Sequence, residues 1–433
     1  MLNKQLAKGM CIIFCMCFLN IHILHAQEGP VADTLHLSIK DAEKTFLEKN
    51  LSLLAQHYNI QSSQALVEQA RKWDNPILNT DQNIYANNHF FQHGTDANGN
   101  PQGEVYAQVQ QLIKTAGKRG KQINLAKTNV NIAEWQFKET LRNLRASLFK
   151  DFYTIAQLQG VADLNKQNMG QLSKLLTGMG AQLQAGNIAR KEYLRVEALQ
   201  VSLQQDMVEN AKDLSDAEAE LKTMLQVTGD IYIKPIVAEK EDAQLPDLTF
   251  MQLLDSAKRY NTDYQSQVYQ LQYQKQNYSL QRALSVPDIT FGPEFDQAAN
   301  YAPNYVGLTI SLPLPLWDRN QGNIKSSRFQ MKQEETNMQQ VDQKLQNDVM
   351  NVYQKLLLTA KLSSEQNNTF YKDYYQLYDN ILKSYDQRQI SLLEFLDYFN
   401  DYEDIRQKQL QQTLNLRLAK EDLNDMVGVD VVN

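Results

Sequence analysis

The chain has 433 residues, of which 42% are hydrophobic and 21% charged, with 43 basic against 50 acidic residues for a formal net charge of −7. This is too apolar for a disordered chain, and with no run of about five basic residues it argues against nucleic acid as a partner. Past the N-terminus no stretch of about 18 apolar residues occurs, which excludes a membrane-spanning helix.

Residues 1–26 read as an export signal: Lys4 and Lys8 ahead of an apolar run from Met10 to Leu19, then Leu24-His25-Ala26 as a small-residue exit. Its removal takes away two lysines, no acids and all three cysteines (Cys11, Cys15, Cys17), leaving 41 basic and 50 acidic residues. The exported chain then has neither a disulfide nor a thiol nucleophile.

The first repeat is expected over residues 27–227. Leu37-Ser38-Ile39-Lys40-Asp41 is a helix start, with a hydroxyl N-cap, an acid three residues on and a leucine before the cap. Strands are predicted over about 76–88 and 103–113. The second alternates Val105, Ala107, Val109 against Glu104, Tyr106, Gln108, Gln110, while the first alternates poorly. Between Pro101 and Pro235 lie 133 residues without proline, room for long helices over about 118–177 and 187–227. Ile123, Val130, Phe137 and Leu144 recur every seven residues, as do Leu141, Leu148 and Ile155, which is a coiled-coil seam. A helix of that length would run about 90 Å, too far for one globular core.

After a linker at 228–247 the pattern returns over 248–433. Leu248-Thr249-Phe250-Met251-Gln252 repeats the helix start, and Asn261 stands where Asn50 stood. Strands are predicted over about 287–296 and 304–314, and long helices over about 320–385 and 390–427. Ile188-Ala189-Arg190-Lys191-Glu192-Tyr193-Leu194 reappears as Ile390-Ser391-Leu392-Leu393-Glu394-Phe395-Leu396. Ile289, Phe291 and Phe295 alternate with polar neighbours, and so do Val306, Leu308, Ile310 and Leu312. Alternation alone fits a soluble sheet as well as a membrane barrel. The export signal and the polar loops His89–Gly103 and Gln297–Asn304 favour the barrel, whose lipid-facing side those seven residues would form. Four strands cannot close one, because open edges in lipid leave backbone groups unpaired, so subunits must share it.

This layout, over nearly the whole exported chain, resembles the TolC family of outer-membrane efflux proteins. Leu312-Pro313-Leu314-Pro315-Leu316-Trp317-Asp318-Arg319-Asn320-Gln321-Gly322 is similar to the strand-to-helix passage of its heavy-metal, CzcC-like branch. Ala185-Gly186-Asn187-Ile188 and Tyr385 to Asp397 resemble the family's two periplasmic tips, with Arg388 where the second tip usually has glycine. The fold implied is mainly α with a small membrane β part: two tandem repeats, a homotrimer, a 12-stranded β-barrel and an α-helical tunnel. The resemblance also implies a periplasmic membrane-fusion adaptor, an inner-membrane pump of the resistance-nodulation-division type, and outer-membrane lipid as partners. It carries a periplasmic gate onto Tyr385, Glu192 and Asp397. The usual basic partner falls on Ile390, with Arg388 standing in for it. Adaptor docking falls on Gly186, Asn187, Ile188, Ala189, Ile390 and Ser391. Ordinary solvated tip charges are the plain alternative for the gate.

No catalytic constellation, phosphate loop or cofactor site is found. His89 and His93 read as loop residues, and the methionines are scattered as helix packing. The leading function is a passive exit duct of a tripartite efflux complex, for small molecules generally or for heavy-metal cations in particular. An exported coiled-coil scaffold with a small soluble β domain is the rival.

Overall fold

The structure, a computed structural model, describes residues 33–432 apart from 87, 100, 238–242, 300–301 and 366–367. The expected export signal at 1–26 lies outside the described residues. In chain order the first half holds β1 (Asp33–Ser38), α1 (Ile39–Lys49), α2 (Leu51–Ala70) and β2 (Ile77–Gln82). Two small hairpins follow, β3 (Tyr85–Ala86) with β4 (His89–Phe90) and β5 (Gly94–Thr95) with β6 (Pro101–Gln102). Then come β7 (Val105–Ile113), α3 (Lys118–Gln184), α4 (Arg190–Leu225) and β8 (Ile231–Ile236). The second half holds α5 (Phe250–Tyr260), α6 (Thr262–Leu284), β9 (Ile289–Asp296), β10 (Tyr305–Ser311), α7 (Gln321–Glu365), α8 (Asn368–Asp386) and α9 (Leu392–Val427).

The repeat is visible in its caps. Ser38 and Thr249 cap α1 and α5, each accepting from the backbone N–H three residues on, and Thr249 closes a capping box with Gln252. Asn50 ends α1 and caps α2, and Asn261 ends α5 and caps α6. Each of these amides also reaches the end of its repeat's last helix: Asn50 Nδ2 donates to Met224 O at 3.3 Å, and Asn261 Nδ2 to Met426 O at 3.0 Å. The two cores around them are related in the same way. Ala42, Phe46, Leu221 and Leu225 in the first correspond to Leu253, Ala257, Leu423 and Val427 in the second. Small and large trade places between α1 and α5, a volume-conserving exchange that a packed core tolerates.

At 67 residues α3 is about 100 Å long. Helices α2, α3, α6 and α7 lie side by side, the order in which their strands pair in the sheet β2-β7-β9-β10. The junction between sheet and helices is locked by Lys118, whose buried Nζ meets Asp288 at 2.6 Å and donates to Val286 O. Asp288 also accepts from Thr115 N–H at 2.8 Å. A third core near the far helix ends gathers Leu172, Val196, Leu203, Tyr378, Phe395 and Phe399.

Two features depart from the sequence reading. The expected linker contains β8, which pairs in parallel with β1. The poorly alternating stretch after Ile77 divides into β2 and the β3–β4 hairpin. Within the span read as one helix over 320–385, the described residues 321–365 and 368–386 are helical.

Asp151 on α3 is buried at 7% exposure, its Oδ2 makes no hydrogen bond, and burial followed by the nearby Glu220 pushes its carboxyl up to about 6. The folded state then holds this proton more tightly than the unfolded chain, so the Asp151 contribution to stability falls as pH rises from about 4 to about 6 and stays flat above. Asp151→Asn is expected to remove that slope and to raise stability at pH 7.5 by about 1–2 kcal/mol. Thermal unfolding across that pH range checks it, and an unchanged slope would exclude Asp151 as its source.

Candidate functional site

The four-stranded sheet has two chemically distinct faces. Register places Val306 opposite Phe295, Leu308 opposite Pro293, and Ile310 opposite Phe291, so these side chains share a face. Ala107 opposite Phe295 and Leu78 opposite Val109 extend it across β7 and β2. This face is bare: Val306 is 75% exposed, and Leu308, Ile310 and Leu78 are exposed as well. Leu312, just past β10, is also exposed, while Ile289 is half-buried opposite Ile113. Trp317, 86% exposed, and Trp73 stand at the strand-to-helix level, and Tyr85, Phe90 and Phe91 at the hairpin end. Aromatic residues at both rims of an apolar band are the pattern of a membrane strand set.

The opposite face carries one hydrogen-bonded network across all four strands. Glu294 Oε2 accepts from Gln108 Nε2 at 2.7 Å, from Thr309 Oγ1 at 2.7 Å and from Tyr106 Oη at 3.1 Å. Gln108 Oε1 accepts from Asn79 Nδ2 at 3.3 Å and from Gln110 Nε2 at 2.6 Å. Gly292 leaves room for it, since a Cβ there would stand 3.1 Å from Gln108 Nε2 and 3.2 Å from Gln110 Cγ. The sequence marked these positions only as the polar half of the alternation. Among the described residues no helix is long and apolar enough to cross a membrane, so a lipid-facing surface falls to the strands.

The remote helix ends carry the expected tips, and the backbone explains their residues. Gly186 (φ +75°) donates to Leu183 O at 3.0 Å and Asn187 N–H to Gln182 O at 2.9 Å. Arg388 (φ +59°) donates to Tyr385 O at 2.9 Å and Gln389 N–H to Ser384 O at 2.8 Å. Both close a helix C-terminus through a left-handed residue, the position glycine fills without strain. Ala189 and Ser391 then cap α4 and α9, and only Ser391 supplies a side-chain acceptor, to Glu394 N–H at 3.2 Å. Ile188 with Tyr193, and Ile390 with Phe395, occupy hydrophobic staple positions, and all four join the tip core.

Between the two tips lies a cavity of about 320 Å³ lined by Tyr385, Arg388, Glu192, Asn187, Ile390 and Ser391. The fold therefore brings together three of the four expected gate residues. Asp397 is exposed and does not line this cavity. Tyr385 is half-buried, stacked on Phe395 at 4.8 Å, and its hydroxyl meets Met179 Sδ at 3.8 Å. Burial, and then the carboxylates of Glu192 and Asp386, hold its phenol above the usual range, so it stays neutral. Among the described residues Arg388 makes no ion pair and its side chain is exposed. His89 and His93 are exposed near the small hairpins, and no group of three or more potential ligands for a metal ion is found among the described residues.

Comparison with known proteins fits this geometry. The family described as Outer membrane efflux protein matches residues 44–226 and 253–429, one stretch in each repeat. The chain belongs to the outer membrane efflux protein family. Relatives similar to it include the cobalt-zinc-cadmium resistance protein CzcC of Cupriavidus metallidurans, 25% identical over 51% of this chain. That match spans 52% of CzcC, about half its length. The nickel-cobalt-cadmium resistance protein NccC of Alcaligenes xylosoxydans xylosoxydans is 23% identical over 75% of this chain and 70% of its own. Among solved structures, CusC superposes with a TM-score of 0.70 at 16% identity, covering 94% of this chain and 96% of that one. The efflux protein fold is thus a TolC-like pair of repeats in which strand pairs join long tunnel helices, at the outer membrane.

Two outcomes are expected of this site. Spin labels at Phe291 and Leu308 should report lipid, and labels at Thr290 and Thr309 water, since a one-residue slip inverts the faces. Water at all four would rule out a membrane sheet. Arg388→Gly should relieve the left-handed strain and stabilise the second tip by about 1 kcal/mol, slowing amide exchange over 383–392 roughly fivefold. Faster exchange would show that the Arg388 side chain holds the tip by contacts that outweigh its strain.

Proposed function

We propose that three copies of this chain form a passive exit duct, with twelve strands closing a barrel in the outer membrane and the long helices forming a periplasmic tunnel. The observation that carries this is the sheet itself: a bonded polar face, a bare apolar face, and two edges, β2 and β10, with no partner strand among the described residues. A soluble scaffold would leave that apolar face in water, and a contiguous exposed apolar face marks a membrane or interaction surface. A periplasmic adaptor and an inner-membrane pump of the resistance-nodulation-division type supply cargo and energy. Gly186, Asn187, Ile188, Ala189, Ile390 and Ser391 form the docking tips, and Tyr385, Arg388, Glu192 and Asp397 the gate. Heavy-metal cations are the narrower reading of the cargo, supported by the names of CzcC and NccC.

Mass measurement in detergent is expected to give a trimer, and a monodisperse monomer would refute the shared barrel. In planar bilayers Tyr385→Phe with Arg388→Ser is expected to raise single-channel conductance without altering the oligomer. Unchanged conductance would remove the gate assignment and leave the duct standing.

A further inference from the structure

Along α3, between the first-repeat core and the tip core, a second cavity of about 440 Å³ opens where α3, α4 and α9 meet. Its charged lining is entirely acidic: Asp206, Glu209 and Asp213 from α4, Glu403 and Asp404 from α9. Asp404 is served by Lys408 at 2.6 Å on the outer surface, but no lysine or arginine lines the cavity. Among the described residues Asp206, Glu209 and Asp213 have no ion-pair partner. Burial and then Asp206 raise the Glu403 carboxyl above its usual range, as crowded like charges do.

A second observation is independent of this charge. Asn165 of α3 lines the same cavity at 1% exposure, and its Oδ1 has no hydrogen-bond donor. This buried amide oxygen sits beside a cluster of carboxylates, while of the neighbouring amides Asn210 Nδ2 is committed to Leu158 O and Gln407 Nε2 to Glu403 Oε1. What such a site lacks is a cation that also brings donors. Among the described residues no three acidic side chains converge closely enough to chelate a bare ion. An ion that keeps its water shell meets both conditions, because its waters donate to carboxylates and amide alike, and Mg²⁺ dehydrates reluctantly. Six waters at roughly 30 Å³ each fit the available volume.

We propose that this cavity holds a hydrated divalent cation, Mg²⁺ in kind, gripped through its waters by Asp206, Glu209, Asp213 and Glu403, with Asn165 Oδ1 accepting from one of them. The ion is resident in the tunnel wall, where it ties α4 to α9, and is separate from whatever the duct conducts.

The test uses the full chain purified in detergent, stripped with EDTA and titrated with Mn²⁺ as the probe at fixed ionic strength, with free aqueous Mn²⁺ read by electron paramagnetic resonance. About one Mn²⁺ per chain is expected, displaced by Mg²⁺ but not by sodium chloride of equal ionic strength. Asp206→Asn with Glu403→Gln should weaken binding by about tenfold or more, as loss of outer-shell partners does. Glu48→Gln with Glu68→Gln, which removes the same charge from exposed positions on α1 and α2, should leave binding unchanged. Absence of saturable Mn²⁺ binding in the wild-type protein would overturn the proposal. An equal loss in both double variants would also overturn it, by showing diffuse attraction in place of a site. The cavity variant removes repelling charges and should fold. Should it fail to assemble, the wild-type stoichiometry and its displacement by Mg²⁺ alone decide.

Discussion

Everything in this molecule follows from backbone groups that one chain cannot pair. A four-stranded sheet with an apolar outer face belongs in lipid, yet β2 and β10 each present a row of N–H and C=O groups with no strand beside them. In lipid each such group costs several kcal/mol, so the membrane part is stable only as a closed ring. The helices inherit the constraint. Each strand of the sheet runs into a helix of the layer α2-α3-α6-α7, so the sheet's edges continue into α2 and α7. Those edge helices carry exposed Leu51, Leu54 and Leu66 on one side and Phe329, Leu357 and Leu358 on the other. In the proposed shared barrel, closing the ring would also bring these exposed side chains of α2 and α7 against neighbouring copies.

The two repeats show what that architecture holds fixed and what it releases. Asn50 and Asn261 keep the same double role, ending one helix, starting the next and tying both to a distant carbonyl. An apolar residue would lose the cap, and any residue without a side-chain amide N–H would leave that carbonyl short of a donor. The cores tolerate exchange of volume between positions, and the tips tolerate exchange of residue type while holding the backbone constant. At Gly186 no neighbouring atom restricts a side chain, so glycine is there for its torsion alone. Arg388 holds the same torsion at a cost of about 1–2 kcal/mol. A strained residue persists where its side chain is wanted.

What the sequence made legible was whatever depends on neighbours in the chain. Strand faces at 289–295 and 306–312, the caps at Ser38 and Thr249, and the tip turns all rest on local periodicity or local hydrogen bonding. Position β8 was hidden because Ile231–Ile236 is short, contains Pro235, and is a strand only through its pairing with β1, nearly two hundred residues away. The Glu294 network was hidden for the same reason: alternation says that Gln108, Glu294 and Thr309 face one way, but only register brings them within bonding distance. The acidic cavity draws on three helices and has no sequence pattern at all. Asp397 was placed by resemblance, and it does not line the cavity shared by Tyr385, Arg388 and Glu192.

The tip geometry limits how a gate here can work. Among the described residues the expected gate residues hold no charged bond to each other: the Tyr385 hydroxyl meets Met179 Sδ, Arg388 makes no ion pair, and Asp397 does not line their cavity. In the proposed trimer a latch built from them would therefore be made between chains, where symmetry would repeat each contact. The hairpins themselves are held by a different set of contacts, the stacked rings of Tyr378 with Tyr402 and of Tyr385 with Phe395 above the Leu172 and Leu203 core. Breaking the latch leaves that packing untouched. If the proposed gate is made between chains, its opening would separate those polar contacts and keep each hairpin's aromatic core.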